Sequence, residues 1–160
     1  MKSLALAAAL LPAFGSAYAE DITVDLLGGP NVWSAHLGAT HTTGDFSDTF
    51  TFTNFDGNGT VFASLISTAT NVSSLSFTDV TLNGVDVPTA QLGPLSIAAI
   101  LGQDVTGSLT LVVSGNVAGP VASYGGDFNV TSPVPEPATY GMLAGGLGVL
   151  AFAARRRKQQ

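Results

Sequence analysis

The stretch "FSDTFTFTNF", residues 46–55, alternates apolar and polar side chains and decides the fold class of this 160-residue chain. Phe46, Phe50 and Phe52 share one face, whereas Ser47 and the neighbouring threonines take the other. A period of two residues is typical of a β-strand with one buried face. Further strand-like stretches lie at residues 22–26, 60–67, 73–82, 107–114 and 121–130. The pattern predicts an all-β domain.

Glycine-rich turn signals separate these predicted strands. Asp56-Gly57-Asn58-Gly59 predicts a hairpin that folds residues 60–67 back along the opening stretch, and Asn83-Gly84 predicts a second tight turn. Gly125-Gly126 interrupts the last strand and suggests a bulge there. Strands and turns at this spacing indicate a single antiparallel β-sandwich, jelly-roll-like, over residues 20–130.

The N-terminus has the features of a secretory signal peptide. Lys2 precedes an apolar stretch at residues 4–14, and Ala17 and Ala19 provide the small residues of an Ala-x-Ala cleavage site. We therefore expect a signal peptide at residues 1–19, cleavage after Ala19, and export through the Sec pathway.

The C-terminus, "PVPEPATYGMLAGGLGVLAFAARRRKQQ", predicts a membrane anchor. Alternate prolines make residues 131–137 an extended linker. Residues 138–154 carry no charge, and as a helix they extend roughly 25 Å, close to the lower limit for a bilayer span. A cationic cluster then predicts a basic cytoplasmic tail at residues 155–160. The cluster consists of Arg155, Arg156, Arg157 and Lys158. These adjacent cations disfavour the alternative of a buried core helix.

All five lysine and arginine residues lie in the two targeting segments. Residues 20–137 therefore contain 11 acidic residues and no lysine or arginine, a formal charge of −11 with both histidines neutral. Binding to nucleic acid requires cations at the phosphates, so this class of function is excluded. Cysteine is absent, and an exported domain of this size must be stabilised by its own core rather than by disulfides.

The sequence shows no catalytic constellation. His36 and His41 are the only two histidines, and a five-residue separation places them on opposite faces of a strand. We expect both to be exposed or at a strand end. No serine lies in a Gly-x-Ser-x-Gly context. The domain is therefore predicted not to be an enzyme and to need no cofactor.

Calcium is the one ligand that the polar residues suggest. The candidate ligands have hard oxygen atoms, which suit Ca²⁺, although a complete EF-hand loop is missing. They are Asp45, Asp48, Asp56 and Asn58. A glycine-rich hairpin turn explains residues 56–60 without any metal.

Asp48 is the most informative of these carboxylates. The alternation places it on the same face as Phe46 and Phe50, which is the predicted core face. A buried carboxylate without a partner is costly, and no lysine or arginine of the domain can pair with it. We expect Asp48 to accept hydrogen bonds from the backbone of a neighbouring loop.

Two parts of the chain resemble a known family. The tail, with Val134-Pro135-Glu136-Pro137, the apolar span and the basic cluster, resembles the PEP-CTERM sorting signal of Gram-negative bacteria. Phe46, Asp48 and Phe50 resemble the motif of the FxDxF family of PEP-CTERM proteins.

This resemblance implies a route through the cell envelope. The protein would be anchored transiently in the inner membrane, facing the periplasm, until an exosortase-type transpeptidase recognises Pro135-Glu136-Pro137. The released domain would then join the cell surface or the exopolysaccharide matrix of a biofilm, in a structural or adhesive role. The alternative is a calcium-dependent carbohydrate-binding module, with Trp33 and Tyr124 as candidate stacking residues.

Overall fold

The computed structural model describes residues 18–133, 141–147, 149 and 155, and it is dominated by β-strands. The nine described residues from 141 onward are helical. The strands are β1 (Tyr18–Asp25), β2 (Leu27–Gly28), β3 (Val32–Ser67), β4 (Ser74–Leu82), β5 (Val85–Asp86), β6 (Thr89–Leu92) and β7 (Leu95–Thr131). The prediction of an all-β domain is confirmed.

Hydrogen bonds join the seven strands into one sheet in the order β1-β3-β7-β4-β5, with β2 on β3 and β6 on β7. Among the described strands, β1 alone pairs in parallel, in register with residues 46–53 of β3. The prediction of a purely antiparallel arrangement is therefore wrong at this edge. Two parallel neighbouring strands need a long connection between them. Residues 26–45 form this connection, and most of them pair with other parts of the sheet on the way.

β3 and β7 are long because each continues through bends. Register shifts after Thr42 and after Phe52 divide β3 into three segments. Gly44 lies at the first bend with φ of 122°, a conformation that glycine adopts without strain. These bends allow one strand to contribute to two separate parts of the sheet.

The strand segments fall into two pairing groups. In the first group, residues 44–52 pair with residues 109–117, and β1 and β4 flank them. In the second group, residues 121–131 lie between residues 32–42 and residues 60–67. The inner faces of the two groups contact each other, because the ring of Phe52 in the first group stacks on Phe128 in the second at 4.0 Å between centroids.

Two local predictions fail and one is confirmed. Residues 60–67 pair with β7 rather than with residues 46–55, because the chain passes from one pairing group into the other instead of turning back. Gly125 and Gly126 cause no bulge; a side chain at Gly126 would clash with the Ser64 carbonyl, so the pair instead allows close strand approach. The Asn83-Gly84 turn is confirmed, and it connects β4 to β5.

Most of the predicted membrane span, residues 138–154, lies outside the described residues. Within it, residues 141–147 and 149 are helical and exposed. In the part of the chain that the structure describes, no helix combines the length and the apolar character needed to cross a bilayer.

Candidate functional site

The FxDxF-like residues lie together on the buried face of β3. Phe46, Asp48 and Phe50 are 3%, 0% and 1% exposed, as the alternation of the strand predicts. Gly115 lies opposite Phe46 in the register, and a side chain there would clash with the phenyl ring. The neighbouring strand therefore leaves the space that this aromatic ring fills.

Asp48 is held by two side chains from the second pairing group. His41 Nε2 lies 2.7 Å from Asp48 Oδ2, and the hydroxyl of Tyr124 donates to the same oxygen at 2.5 Å. Within the described residues, Asp48 Oδ1 has no hydrogen-bond partner. The expectation of backbone donors from a loop is wrong, because the two side chains reach the carboxylate across the interior. We call Asp48, His41 and Tyr124 the Asp48 cluster.

Aromatic rings enclose the Asp48 cluster. The ring of Phe46 stacks on His41 with centroids 4.2 Å apart and an interplanar angle of 8°. Phe50 and Phe77 meet Tyr124 edge-on, at 6.4 Å and 5.5 Å. Both phenylalanines of the motif therefore pack against the side chains that Asp48 binds, and the motif forms one unit with His41 and Tyr124.

The electrostatic surroundings keep Tyr124 protonated. Burial raises the pKa of its phenol far above the usual value near 10, and the hydrogen bond to Asp48 raises this pKa further. The carboxylates of Asp48 and Glu20 add a repulsion that disfavours a tyrosinate. Tyr124 is therefore a permanent donor to Asp48 at neutral pH.

The two histidines have opposite environments. They lie on opposite faces of β3, as predicted: His41 is buried, whereas the side chain of His36 is 93% exposed and pairs with Asp127. The prediction that both histidines are exposed or at a strand end is wrong for His41. Its signal was present in the sequence, because His41 continues the odd-numbered apolar positions Leu37 and Ala39.

The calcium candidates do not form a common site. Asp45 is exposed and accepts a hydrogen bond from the side-chain amide of Asn116, and Asp48 belongs to the buried cluster. Asp56 and Asn58 are exposed. Nowhere in the described ranges do three histidine, cysteine or acidic side chains gather in a way that could hold a metal ion.

The two candidate residues for stacking against a sugar do not form an exposed binding surface. Tyr124 is 3% exposed and belongs to the Asp48 cluster. Trp33 is partly buried and meets the ring of Phe55 edge-on at 5.1 Å. Both aromatic rings thus take part in the packing of the domain.

A cleft of about 290 Å³ adjoins the Asp48 cluster. Its wall includes His41 together with the first residues of β1. Ala19, one of the two predicted cleavage-site residues, lies in this wall, and Ala17 lies outside the described residues. The complete lining is Tyr18, Ala19, Glu20, Thr40, His41 and Thr42.

The folded domain ends at a fixed point just before the tail. The backbone N–H of Ser132 donates to the carbonyl of Asn31, and its hydroxyl donates to the carbonyl of Asn58. The predicted sorting residues Val134, Pro135, Glu136 and Pro137 lie outside the described residues, as do Arg156, Arg157 and Lys158; Arg155 is helical and exposed. The tail must therefore be identified from its sequence.

The family model of the PEP-CTERM protein-sorting motif matches residues 133–158. The chain carries a PEP-CTERM sorting motif. Such a motif implies an exported protein that is targeted to an exosortase as a substrate. No curated protein and no solved structure matches the chain.

Proposed function

We propose that this protein is exported with cleavage of its signal peptide, held in the inner membrane by residues 138–154, and released by an exosortase to the cell surface or the extracellular polysaccharide matrix. The match to the sorting motif at residues 133–158 carries this proposal. The uncharged stretch and the basic cluster behind it support a transient anchor whose C-terminus stays in the cytoplasm.

We also propose that the released domain is a β-sandwich of the FxDxF family with a structural or adhesive role. The stacking of Phe52 on Phe128 across the two pairing groups supports two facing layers. The packing of Phe46, Asp48 and Phe50 around the Asp48 cluster supports a structural reason for the motif. Asp48 has no exposed surface, which supports a role in stability rather than in catalysis.

Replacement of the sorting motif tests the proposed route. In a Gram-negative host with the cognate exosortase, the triple change Pro135→Ala, Glu136→Ala and Pro137→Ala should leave the protein in the inner membrane with its tail intact. The matched control is Pro94→Ala, at an exposed turn before β7, which should be released like the wild type.

Mass spectrometry of the released wild-type protein distinguishes the outcomes. The product should lack residues 1–19 and residues 138–160. Extracellular protein that retains the complete tail would contradict the sorting proposal. Fractionation then tests the destination: we expect the released domain in the surface or polysaccharide fraction, and its recovery only as free protein in the medium would contradict a structural or adhesive role.

A further inference from the structure

The Asp48 cluster lacks a cationic side chain from lysine or arginine. Asp48 is fully buried, and its Oδ1 atom has no hydrogen-bond partner in the described part of the chain. Residues 20–137 contain no lysine or arginine that folding could bring to it. A buried carboxylate is stabilised by nearby positive charge, so an additional cation beside Asp48 would lower the free energy of the folded state.

The start of β1 pairs with the strand segment that carries this carboxylate. Glu20 is in register with Asp48 in the parallel β1–β3 pairing, and paired strands are about 4.8 Å apart. Glu20 and His41 line the same cleft. The Glu20 carboxylate is also among the groups that raise the pKa of Tyr124, after burial and Asp48, so charge at this end of β1 is within electrostatic range of the cluster.

Cleavage after Ala19 changes the chemistry of the Glu20 nitrogen. In the precursor this nitrogen is a neutral amide. Hydrolysis breaks the Ala19–Glu20 peptide bond: the oxygen of one water molecule ends in the new carboxylate of Ala19, and the nitrogen of Glu20 becomes a free amine. The amine takes up a proton at neutral pH and becomes an ammonium group.

We propose that this ammonium group is the cation of the Asp48 cluster, so that signal-peptide cleavage completes the electrostatics of the core. The proposal rests on the export route proposed above. Removal of Tyr18 and Ala19 takes away two residues of the cleft wall beside His41. The new terminus therefore lies at the opened cleft, while Glu20 keeps its place in register with Asp48.

The position of the ammonium group provides the first test. Insertion of Gly-Ser between Ala19 and Glu20 leaves the Ala-x-Ala site intact and moves the new terminus about 6.6 Å along the strand. The exported, processed protein should then melt about 4 °C lower than the wild type. In an Asp48→Asn background the same insertion should change the Tm by less than about 1 °C, since the charge that the ammonium group stabilises is gone.

Acetylation provides a second test that needs no substitution. Lys2 and Lys158 are the only lysines of the chain, so the released domain has a single amine, and any retained tail adds Lys158 as an internal reference. The Glu20 amine should react with an acetyl N-hydroxysuccinimide ester about fivefold more slowly in the wild type than in the insertion protein. Acetylation of the wild type should also lower its Tm.

The N-terminus found by mass spectrometry separates the possible failures. If the protein begins at Glu20 but acetylation leaves its Tm unchanged and the two acetylation rates are equal, the ammonium proposal is overturned while the export route stands. If the protein begins at another residue, the predicted cleavage site and the ammonium proposal both fail, whereas the sorting motif at the other end is unaffected.

Discussion

The domain contains two histidine–aspartate pairs that have similar lengths and very different surroundings. His36 Nδ1 lies 2.5 Å from Asp127 Oδ1, and the two side chains are 93% and 60% exposed. His41 Nε2 lies 2.7 Å from Asp48 Oδ2, and these side chains are 3% and 0% exposed. Distance alone would rank the exposed pair first.

Burial reverses that ranking. Water screens an exposed pair and competes for its hydrogen bonds, so such pairs contribute about 0–1 kcal/mol. In the interior, removal of one partner leaves the other polar group buried without a hydrogen bond to protein or water. This lowers the free energy of unfolding by several kcal/mol. The comparison therefore predicts large effects at His41 and Asp48 and very small ones at His36 and Asp127.

The largest effect is expected for His41→Ala. This change removes a donor to Asp48 and the ring on which Phe46 stacks, so the free energy of unfolding should fall by about 3–5 kcal/mol. Urea denaturation of the released domain at pH 7 measures the change. A loss below about 1 kcal/mol would show that the buried pair contributes no more than a surface pair.

Asp48→Asn should have the next largest effect. The amide oxygen could still accept from His41 and Tyr124, but both hydrogen bonds would lose the negative charge that strengthens them. The NH2 group would also replace Oδ1, which has no partner among the described residues, so we expect a loss of about 1.5–3 kcal/mol. The surface change Asp45→Asn is the control. Thermal unfolding in calcium and in EDTA should give the same Tm for the wild type. An EDTA effect that Asp48→Asn abolishes would instead assign Asp48 to a metal site.

A smaller effect is expected at alkaline pH through Tyr124. The unfolded chain releases the phenol proton near pH 10, whereas burial and the bond to Asp48 raise the pKa of Tyr124 and retain the proton in the fold. The contribution of Tyr124 to stability should thus be constant below about pH 10 and fall by about 1 kcal/mol between pH 10 and 11. Tyr124 is the only tyrosine in residues 20–137, so absorbance at about 295 nm reports its ionisation directly.

The control for this titration is Tyr124→Phe, which should abolish the loss of stability between pH 10 and 11 that the phenol causes. Tyrosinate absorbance at pH 11 in the still-folded wild type would contradict the protection of Tyr124.

The smallest effect is expected for His36→Ala. Its side chain is almost wholly in water, and the unfolding free energy should change by less than about 0.5 kcal/mol. Urea denaturation beside His41→Ala makes this a matched pair. A loss comparable with that of His41→Ala would remove the distinction between the two histidine–aspartate pairs.

The alternation of residues 46–52 was sufficient to predict the buried face of the motif strand, including Asp48. It was not sufficient to predict the partners of Asp48. Buried positions of β3 are odd-numbered before the bend at Gly44, as at His41, and even-numbered from Phe46 to Phe52. A bend that changes this phase is invisible to a pattern that assumes a straight strand. The contact with Tyr124 spans 76 residues of sequence and depends on the tertiary fold.

The tail shows the opposite relation between sequence and structure. Its sorting motif could be predicted from the order of a short motif, an apolar stretch and a basic cluster, because such a signal is a local feature of sequence and composition. The parallel edge strand β1 was missed for a different reason. Apolar–polar alternation is the same for both strand directions, so the period alone cannot reveal how a strand pairs.

The hydrogen bonds of Ser132 determine how much free chain separates the folded domain from the sorting motif. Pro135 follows three residues later, and three residues span at most about 11 Å when fully extended. Under the proposed sorting route, the enzyme would therefore have to bind Pro135 within about 11 Å of the point where Asn31 and Asn58 hold the chain. With so short a linker, the folded domain would lie against the enzyme during processing. Steric fit between the two would then limit which folded domains the enzyme can process.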